Sequence, residues 1–473
     1  MVKRRVIDIT WKEVIMPRKG VLFSLGVIAL TLIPLRAHAG WMKTYGGEGD
    51  EEGYFVEPTS DGGYIVAASY PLWLVKLDSN GDTLWTKTHD SISVDYSEVH
   101  QTSDGGFITV GDFWIGPMEQ EYRMVILKTD ENGDELWRRI YDQPGWDYGS
   151  SIQETSDGGF IIVGGTGSID DKVWLLKTDF LGDTIWTRTY GNEVGGGSCV
   201  RQTSDGGYII MARNRGDNWL IKTDSIGDTL WTRTYGSPYY NDQAWCVQET
   251  NDGGYIIAAR YADTMEQYDL WLIKTDNNGD SVWTRRYDRN DMDFTWWIEQ
   301  TSDGGYIIPA YTMSYDDDFG YLWLIKTDGN GDTTWSRDFD EGEWNMCYCG
   351  REATDGYIIS GFICPESAGN KELWVIKTDA NGYVYGIDER PVVNGNFDWE
   401  ILSGIGHKIL LRYSDHSQGF HAAVFDATGR KVGQIHAEYA SGTITWGAAA
   451  PPGVYFIKPI SGTSSTRKAV LIR

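Results

Sequence analysis

The chain has 473 residues, 41% hydrophobic and 23% charged, enough apolar material for packed cores and too much for a disordered polymer. Its 57 Gly, 22 Trp and 28 Tyr favour turns and strands over helices. The net charge of −27 becomes about −32 without residues 1–39, and so acidic a surface repels phosphate backbones, which excludes nucleic acid as an expected partner.

Residues 1–39 read as an export signal. Arg18 and Lys19 precede an apolar run from Val21 to Leu35. Ala37-His38-Ala39 then offers an Ala-x-Ala site, with cleavage expected between Ala39 and Gly40. The run is short for a membrane span, and no later segment approaches roughly 18 apolar residues, so no transmembrane helix is expected in the mature chain. Met1 and Met16 are both possible starts.

Residues 40–386 are organised by a repeat. Thr-Ser-Asp-Gly-Gly-Tyr/Phe recurs with its Asp at 61, 104, 157, 205, 252, 303 and 355, spaced by 43 to 53 residues. Lys-Thr-Asp or Lys-Leu-Asp follows in each repeat, ending at Asp78, Asp130, Asp179, Asp224, Asp276, Asp328 and Asp379. A Trp-x-Arg/Lys element lies at Trp41, Trp85, Trp137, Trp186, Trp231, Trp283 and Trp335. Residues 244–287 parse into strands at Ala244–Glu249, Tyr255–Ala259, Leu270–Lys274 and Val282–Tyr287, joined by Asp-Gly turns. Four hairpin-linked strands per repeat make a propeller blade, and helical periodicity is absent from the repeats.

The fold class is therefore all-β, a seven-bladed β-propeller. Trp41 to Tyr45 reads as a fourth strand with no preceding three, and the last repeat lacks its own Trp strand. The N-terminal strand is thus expected to complete the last blade and remove an open sheet edge. The fourth-strand Trp residues, and six more at 73, 174, 219, 271, 323 and 374, are expected to pack between blades.

A linker is expected at 387–395, followed by a small Ig-like β-sandwich at 396–473. Its expected strands are Lys408–Tyr413, Phe420–Phe425, Gly442–Trp446, Val454–Lys458 and Lys468–Ile472.

Positive signs of catalysis are missing. The five Cys contain no Cys-x-x-Cys pair, and Cys347 and Cys349 are expected on one strand. The repeats hold two His, His89 and His100, both expected to face solvent, so no metal centre is expected. The Asp-x-x-Gly-Asp turns faintly resemble calcium loops, but Phe180-Leu181 and Ser225-Ile226 supply no oxygen where a ligand would be needed. The hairpins bearing the near-invariant turns occupy one face of a propeller, and the variable loops occupy the other. Trp114, Trp146, Tyr148, Tyr240, Trp245, Trp296 and Trp344 fall on the variable face, among Asp147, Asp242 and Asp317. These are the candidate ligand-binding residues, since aromatic faces with nearby carboxylates suit sugar rings.

The lysine–aspartate turn followed by a Trp strand resembles the repeats of pyrroloquinoline-quinone-type propellers, and the Gly-Gly doublet is similar to kelch repeats. The quinone enzymes typically have eight blades and adjacent cysteines. This chain has seven repeats and no such pair, so no cofactor is expected. Residues 41–473 look most like secreted bacterial propellers with Ser-Asp-Gly-Gly-Tyr repeats. The C-terminal part resembles the sorting domain of type IX secretion substrates through Val424 to Val432 with Gly429, Gly453-Val454-Tyr455-Phe456, and the terminal stretch with Lys468 and Arg473. That family usually opens with Asn-Pro where this chain has Asn394-Gly395. The resemblance implies export through the type IX machinery to the medium or the outer cell surface. The leading functional expectation is a non-catalytic propeller binding a glycan or protein. A polysaccharide hydrolase or lyase using loop carboxylates and a purely structural exoprotein are the alternatives.

Overall fold

The computed structural model describes residues 40–384 and 399–471, apart from segments 47–48, 70, 91, 94–97, 115–121, 168–171, 192–194, 215–216, 237–241, 263–267, 290–291, 314–319, 340–343, 365–369, 404, 407–408, 414–419, 438–441, 448–449 and 460–466. Every regular element among the described residues is a strand. No helix there is long and apolar enough to cross a membrane. The chain divides into two compact units, residues 1–386 and 387–473.

In the first unit the repeats form seven antiparallel sheets with four strand positions each. The fourth sheet is typical, with strands Gly197–Gln202, Tyr208–Asn214, Asp217–Thr223 and Thr229–Tyr235 paired in that order. In the second and sixth sheets the first position is split, into Ile92–Ser93 with Val99–Gln101 and Met292–Thr295 with Glu299–Gln300. The fifth sheet runs Gln243–Glu249, Tyr255–Ala262, Tyr268–Thr275 and Ser281–Tyr287, one to three residues beyond the expected bounds.

The motif residues explain themselves in the first hairpin. Gly206 adopts φ +82°, which a side chain would strain, and a Cβ on Gly207 would strike the Thr223 carbonyl. Asp205 Oδ1 accepts from the Thr203 hydroxyl at 2.6 Å, the Gly207 amide at 2.9 Å and Lys222 Nζ at 3.0 Å. The buried lysine thereby ties the turn to the third strand, and six repeats share the pair. The seventh turn, Thr354-Asp355-Gly356, is one glycine shorter, and Asp355 itself takes φ +62°. The second turn spends its carboxylate on amides, with Asp224 Oδ1 accepting from Ile226 at 3.0 Å and Asp228 at 2.8 Å. This accounts for the calcium-like spacing as turn chemistry.

Adjacent sheets dock through the fourth-strand Trp. Trp186 lies against Gly227 of the next sheet and meets Tyr208 edge-on at 5.9 Å. On the same strand Arg188 pairs with Asp228 at 3.2 Å, and Tyr190 Oη donates to the Gly227 carbonyl at 2.6 Å. Trp41, Trp85, Trp137, Trp231, Trp283 and Trp335 repeat the contact on Gly81, Gly133, Gly182, Gly279, Gly331 and Gly382. The third-strand Trp174, Trp323 and Trp374 are buried, while Trp73, Trp219 and Trp271 are half-buried.

The seventh sheet consists of Trp344–Ala353, Gly356–Cys364, Glu372–Asp379 and the N-terminal strand Trp41–Tyr45, registered from Trp41 opposite Lys377 to Tyr45 opposite Leu373. Cys347 and Cys349 share its first strand, both buried as free thiols. This sheet also meets the first. Arg351 Nη1 pairs with Glu57 at 3.3 Å and Lys371 Nζ with Glu52 at 2.5 Å.

The second unit has a three-stranded sheet of Trp399–Ser403, Ile409–Tyr413 and Gly442–Trp446. A five-stranded sheet holds Ile405–Gly406, Arg467–Leu471, Gly453–Pro459, Phe420–Asp426 and Lys431–Ala437. Ile409 and Leu411 of the first share a core with Phe420, Val424, Ile435 and Ile457 of the second. Trp399–Ser403 and Lys431–Ala437 were not among the expected strands. Lys431–Ala437 is largely exposed and interrupted by Gly433, so its apolar alternation is faint. Gly429 adopts φ +82° in the Asp426 turn, Gly453 opens a strand, and Tyr455 is buried with its Oη donating to the Pro451 carbonyl at 2.5 Å. Lys468 lies in a strand, while Ala39 and Arg473 lie outside the described residues.

Candidate functional site

The first strands carry the site. Their successive residues before the Thr-Ser-Asp-Gly-Gly turn fall in columns that line two cavities. The larger, about 430 Å³, is lined by Tyr54, Trp245, Trp296 and Tyr348 from the first, fifth, sixth and seventh sheets. These rings form one arc, with centroids 4.9 Å apart for Tyr54 and Tyr348, 5.2 Å for Tyr348 and Trp296, and 5.8 Å for Trp296 and Trp245. The third and fourth sheets supply a polar and glycine-rich wall of Ser150, Ser198, Arg213, Gly149 and Gly195 to Gly197, with Asp112 from the second. Tyr148 also lines it, its Oη accepting from the Gly196 amide at 3.1 Å, and a Cβ at Gly196 would strike that hydroxyl.

Trp297 lines both cavities. Its ring lies between the Arg201 and Arg351 guanidinium groups, at 5.2 and 5.4 Å, with Phe55 edge-on at 5.0 Å. Around it runs a chain of charges. Arg201 Nη2 meets Glu98 at 2.7 Å and Glu98 meets His100 Nε2 at 3.1 Å. His100 Nδ1 meets Glu57 at 2.5 Å, Glu57 meets Arg351 Nη1 at 3.3 Å, and Arg351 Nε meets Glu299 at 2.9 Å. Burial alone would disfavour the Glu98 carboxylate, but Arg201 and His100 hold it at about 2. Burial would likewise disfavour the His100 cation, and the carboxylates of Glu57 and Glu98 more than offset it, so its pKa is raised.

The expected site residues therefore divide. Tyr148, Trp245 and Trp296 converge on the larger cavity. Trp146 does not line it and is 54% exposed. Trp344 is packed edge-on against Phe362 at 5.0 Å and donates through Nε1 to Tyr311 Oη at 3.2 Å. Trp114 ends the strand Phe107–Trp114, its side chain outside the described residues, as are Tyr240 and Asp317 altogether. Asp147 and Asp242 are fully buried and accept from backbone amides. Asp147 accepts from the Gln143 amide at 2.5 Å and Asp242 from the Ala262 amide at 2.7 Å. Asp293 and Asn345 occupy the equivalent place in later repeats, accepting from Arg289 N and Leu322 N at 2.8 and 2.7 Å. A position that recurs with one backbone task is structural.

The histidines correct an expectation. His89 is buried where most repeats have Tyr after the Trp, and His100 lies between two carboxylates instead of facing solvent. Tyr54, Tyr348 and the charged chain are the parts that attention to loops misses. Their signal is the first-strand column Glu57, His100, Gln153, Arg201, Gln248, Glu299 and Arg351, which mixes both charges inside an otherwise uniform repeat. Among the described residues, no group of three or more His, Cys, Asp or Glu is placed to hold a metal ion.

No protein-family model matches the chain, and no curated protein matches it. Solved structures show a limited likeness to the chain. A protein of unknown function from Bacteroides caccae is 11% identical, with 62% of this chain and 94% of that one covered at a TM-score of 0.38. A protein of unknown function from Dyadobacter fermentans is also 11% identical, covering 72% and 98% at 0.41. Sqt1 from Chaetomium thermophilum is 11% identical, covering 79% and 96% at 0.45. Likeness at this level assigns no family.

Proposed function

We propose that the chain is an exported, closed seven-bladed propeller whose larger cavity binds a carbohydrate without transforming it. The observation that carries this reading is the aromatic arc of Tyr54, Tyr348, Trp296 and Trp245 facing the polar wall of Ser150, Ser198 and Arg213 across one cavity. Apolar sugar faces stack on such rings, and hydroxyls find partners opposite. A volume of about 430 Å³ suits a small-molecule site. Ring closure is supported by Trp41, which belongs to the seventh sheet and packs on Gly81 of the first as every other fourth-strand Trp packs on its successor. The basic and apolar residues before Ala39 support export, and the sequence around Gly429, Gly453 and Tyr455 supports an Ig-like sorting domain read by type IX machinery.

The test is titration of the mature chain with neutral oligosaccharides chosen from a glycan array. Saturable binding that weakens in Trp245→Ala supports the reading. No binding across the array overturns it.

A further inference from the structure

The smaller cavity, about 310 Å³, lies on the other side of Trp297 and has the opposite chemistry, with no aromatic arc. His100, Gln153, Arg201, Gln202, Gln248 and Arg351 line it. The glutamines are oriented by their neighbours. Gln153 Oε1 accepts the Gln202 amide at 2.7 Å, Gln202 Oε1 accepts the Ser156 amide at 2.8 Å, and Gln248 Oε1 accepts the Gln300 amide at 3.0 Å. A backbone N–H must meet the oxygen end of a carboxamide, which fixes the orientation of each side chain and leaves its NH2 as a donor for other partners. Arg351 spends Nε and Nη1 on Glu299 and Glu57, which leaves Nη2.

The carboxylates nearby are already engaged. Glu249, also on the lining, accepts from Ser204 N and Ser204 Oγ, both at 2.7 Å. Glu57, Glu98 and Glu299 are held by the arginines and His100. The wall thus offers amide and guanidinium hydrogens, and its carboxylate is already engaged.

We propose that this cavity is a second binding site, for a small ligand bearing a carboxylate, distinct from the carbohydrate site on the other side of Trp297. The carboxylate accepts from the Gln153 and Gln248 amides and from Arg351 Nη2. The inference does not depend on the carbohydrate reading.

Succinate and succinamide differ by carboxylate against carboxamide, neither carries a sugar ring that could stack on the aromatic arc, and they are the probes, with calorimetry and thermal shift on the mature chain as readouts. Succinate is expected to bind in the millimolar range or tighter, and succinamide at least tenfold more weakly. Gln153→Glu and Gln248→Glu keep the oxygen that holds the next backbone amide and replace the donor by a negative charge. Each is expected to weaken succinate roughly tenfold or more, with the thermal midpoint in the absence of ligand nearly unchanged. Trp245→Ala, in the other cavity, leaves that binding unaltered. Equal affinity for both probes, a succinate signal lost in Trp245→Ala and kept in Gln153→Glu and Gln248→Glu, or no signal at all would each overturn the proposal.

Discussion

Trp41 of the seventh sheet lies against Gly81 of the first, with its indole edge-on to Tyr64 at 5.9 Å. Lys43 and Tyr45 on the same strand reach Asp82 at 2.6 Å and the Gly81 carbonyl at 2.7 Å, so all three contacts of a standard sheet junction are present. The junction between the seventh sheet and the first thus uses the same chemistry as that between consecutive repeats, and the long-range link is the pairing of Trp41 with Lys377. Trp41→Ala is expected to cost about 2 kcal/mol, close to the cost of Trp186→Ala at an internal junction. Denaturant unfolding of the two variants checks this. A near-neutral Trp41→Ala beside a costly Trp186→Ala would mean the first and seventh sheets are not joined in solution.

Asp293 is fully buried, and burial pushes its carboxyl up to about 6. A raised carboxyl pKa stabilises the fold below the unfolded value, and that contribution disappears as pH rises through about 6. The Thr312 hydroxyl and the Arg289 amide, which donates to Oδ2 at 2.8 Å, favour the charged carboxylate but do not offset its burial. Asn345 shows that a carboxamide serves at this position. Asp293→Asn is therefore expected to match or exceed wild-type stability at pH 7, by up to about 2 kcal/mol. The advantage should shrink between pH 6 and 4. Unfolding free energies across that range decide it, and an Asn variant weaker at pH 7 would contradict the sign.

Lys377 breaks the repeat's lysine–aspartate pairing. Its Nζ donates to the Thr378 carbonyl at 2.7 Å, and the shortened turn carries Asp355 in the left-handed region. Burial lowers the ammonium to about 8, against the opposing charges of Asp355 and Asp379. A depressed lysine destabilises the fold fully below about 8 and ceases to do so as pH approaches 10.5. Lys377→Met is expected to be neutral or stabilising by on the order of 1–2 kcal/mol at pH 7. Lys76→Met, which abandons Asp61, is expected to destabilise by about 1 kcal/mol. Paired denaturation curves at pH 7 and pH 10 test both, and equal losses in the two variants would refute the distinction.

The architecture was legible because the repeat states it seven times. Gly206 and Gly207 have one reason each, and Asp205 joins them to Lys222, so the motif carries its own geometry. The candidate site was legible only in part. Trp245, Trp296 and Tyr148 stood out as departures from the repeat in its variable segments. Trp146 and Asp147 stood out equally, although one is exposed and the other buried. Neighbouring residues on a strand point to opposite sides, and which side meets the cavity depends on register. The bulges between Gly149 and Ser151 and between Ala244 and Cys246 shift that register within the first strands. The chain from Arg201 to Glu98 spans 103 residues and exists only after the sheets assemble.

That division makes the aromatic residues a sharp test of the carbohydrate site. Trp245 lines the cavity at 5.8 Å from Trp296, with Arg260 at 5.6 Å from its ring. Removing it takes away the stacking surface at one end of the arc, and an aromatic contact within a binding site is worth about 2 kcal/mol, or roughly thirtyfold in affinity. Trp146 lies outside the lining, so Trp146→Ala should bind oligosaccharide within about twofold of wild type, as expected for a contact outside the binding core. Trp344→Ala should lower the thermal midpoint, because Phe362, Tyr311 and Lys371 at 5.0 Å lose their partner, while affinity measured below that midpoint holds. Titration of all three variants with one oligosaccharide separates the roles. Loss of binding in Trp146→Ala with retention in Trp245→Ala would move the site out of the cavity and onto the exposed loop surface.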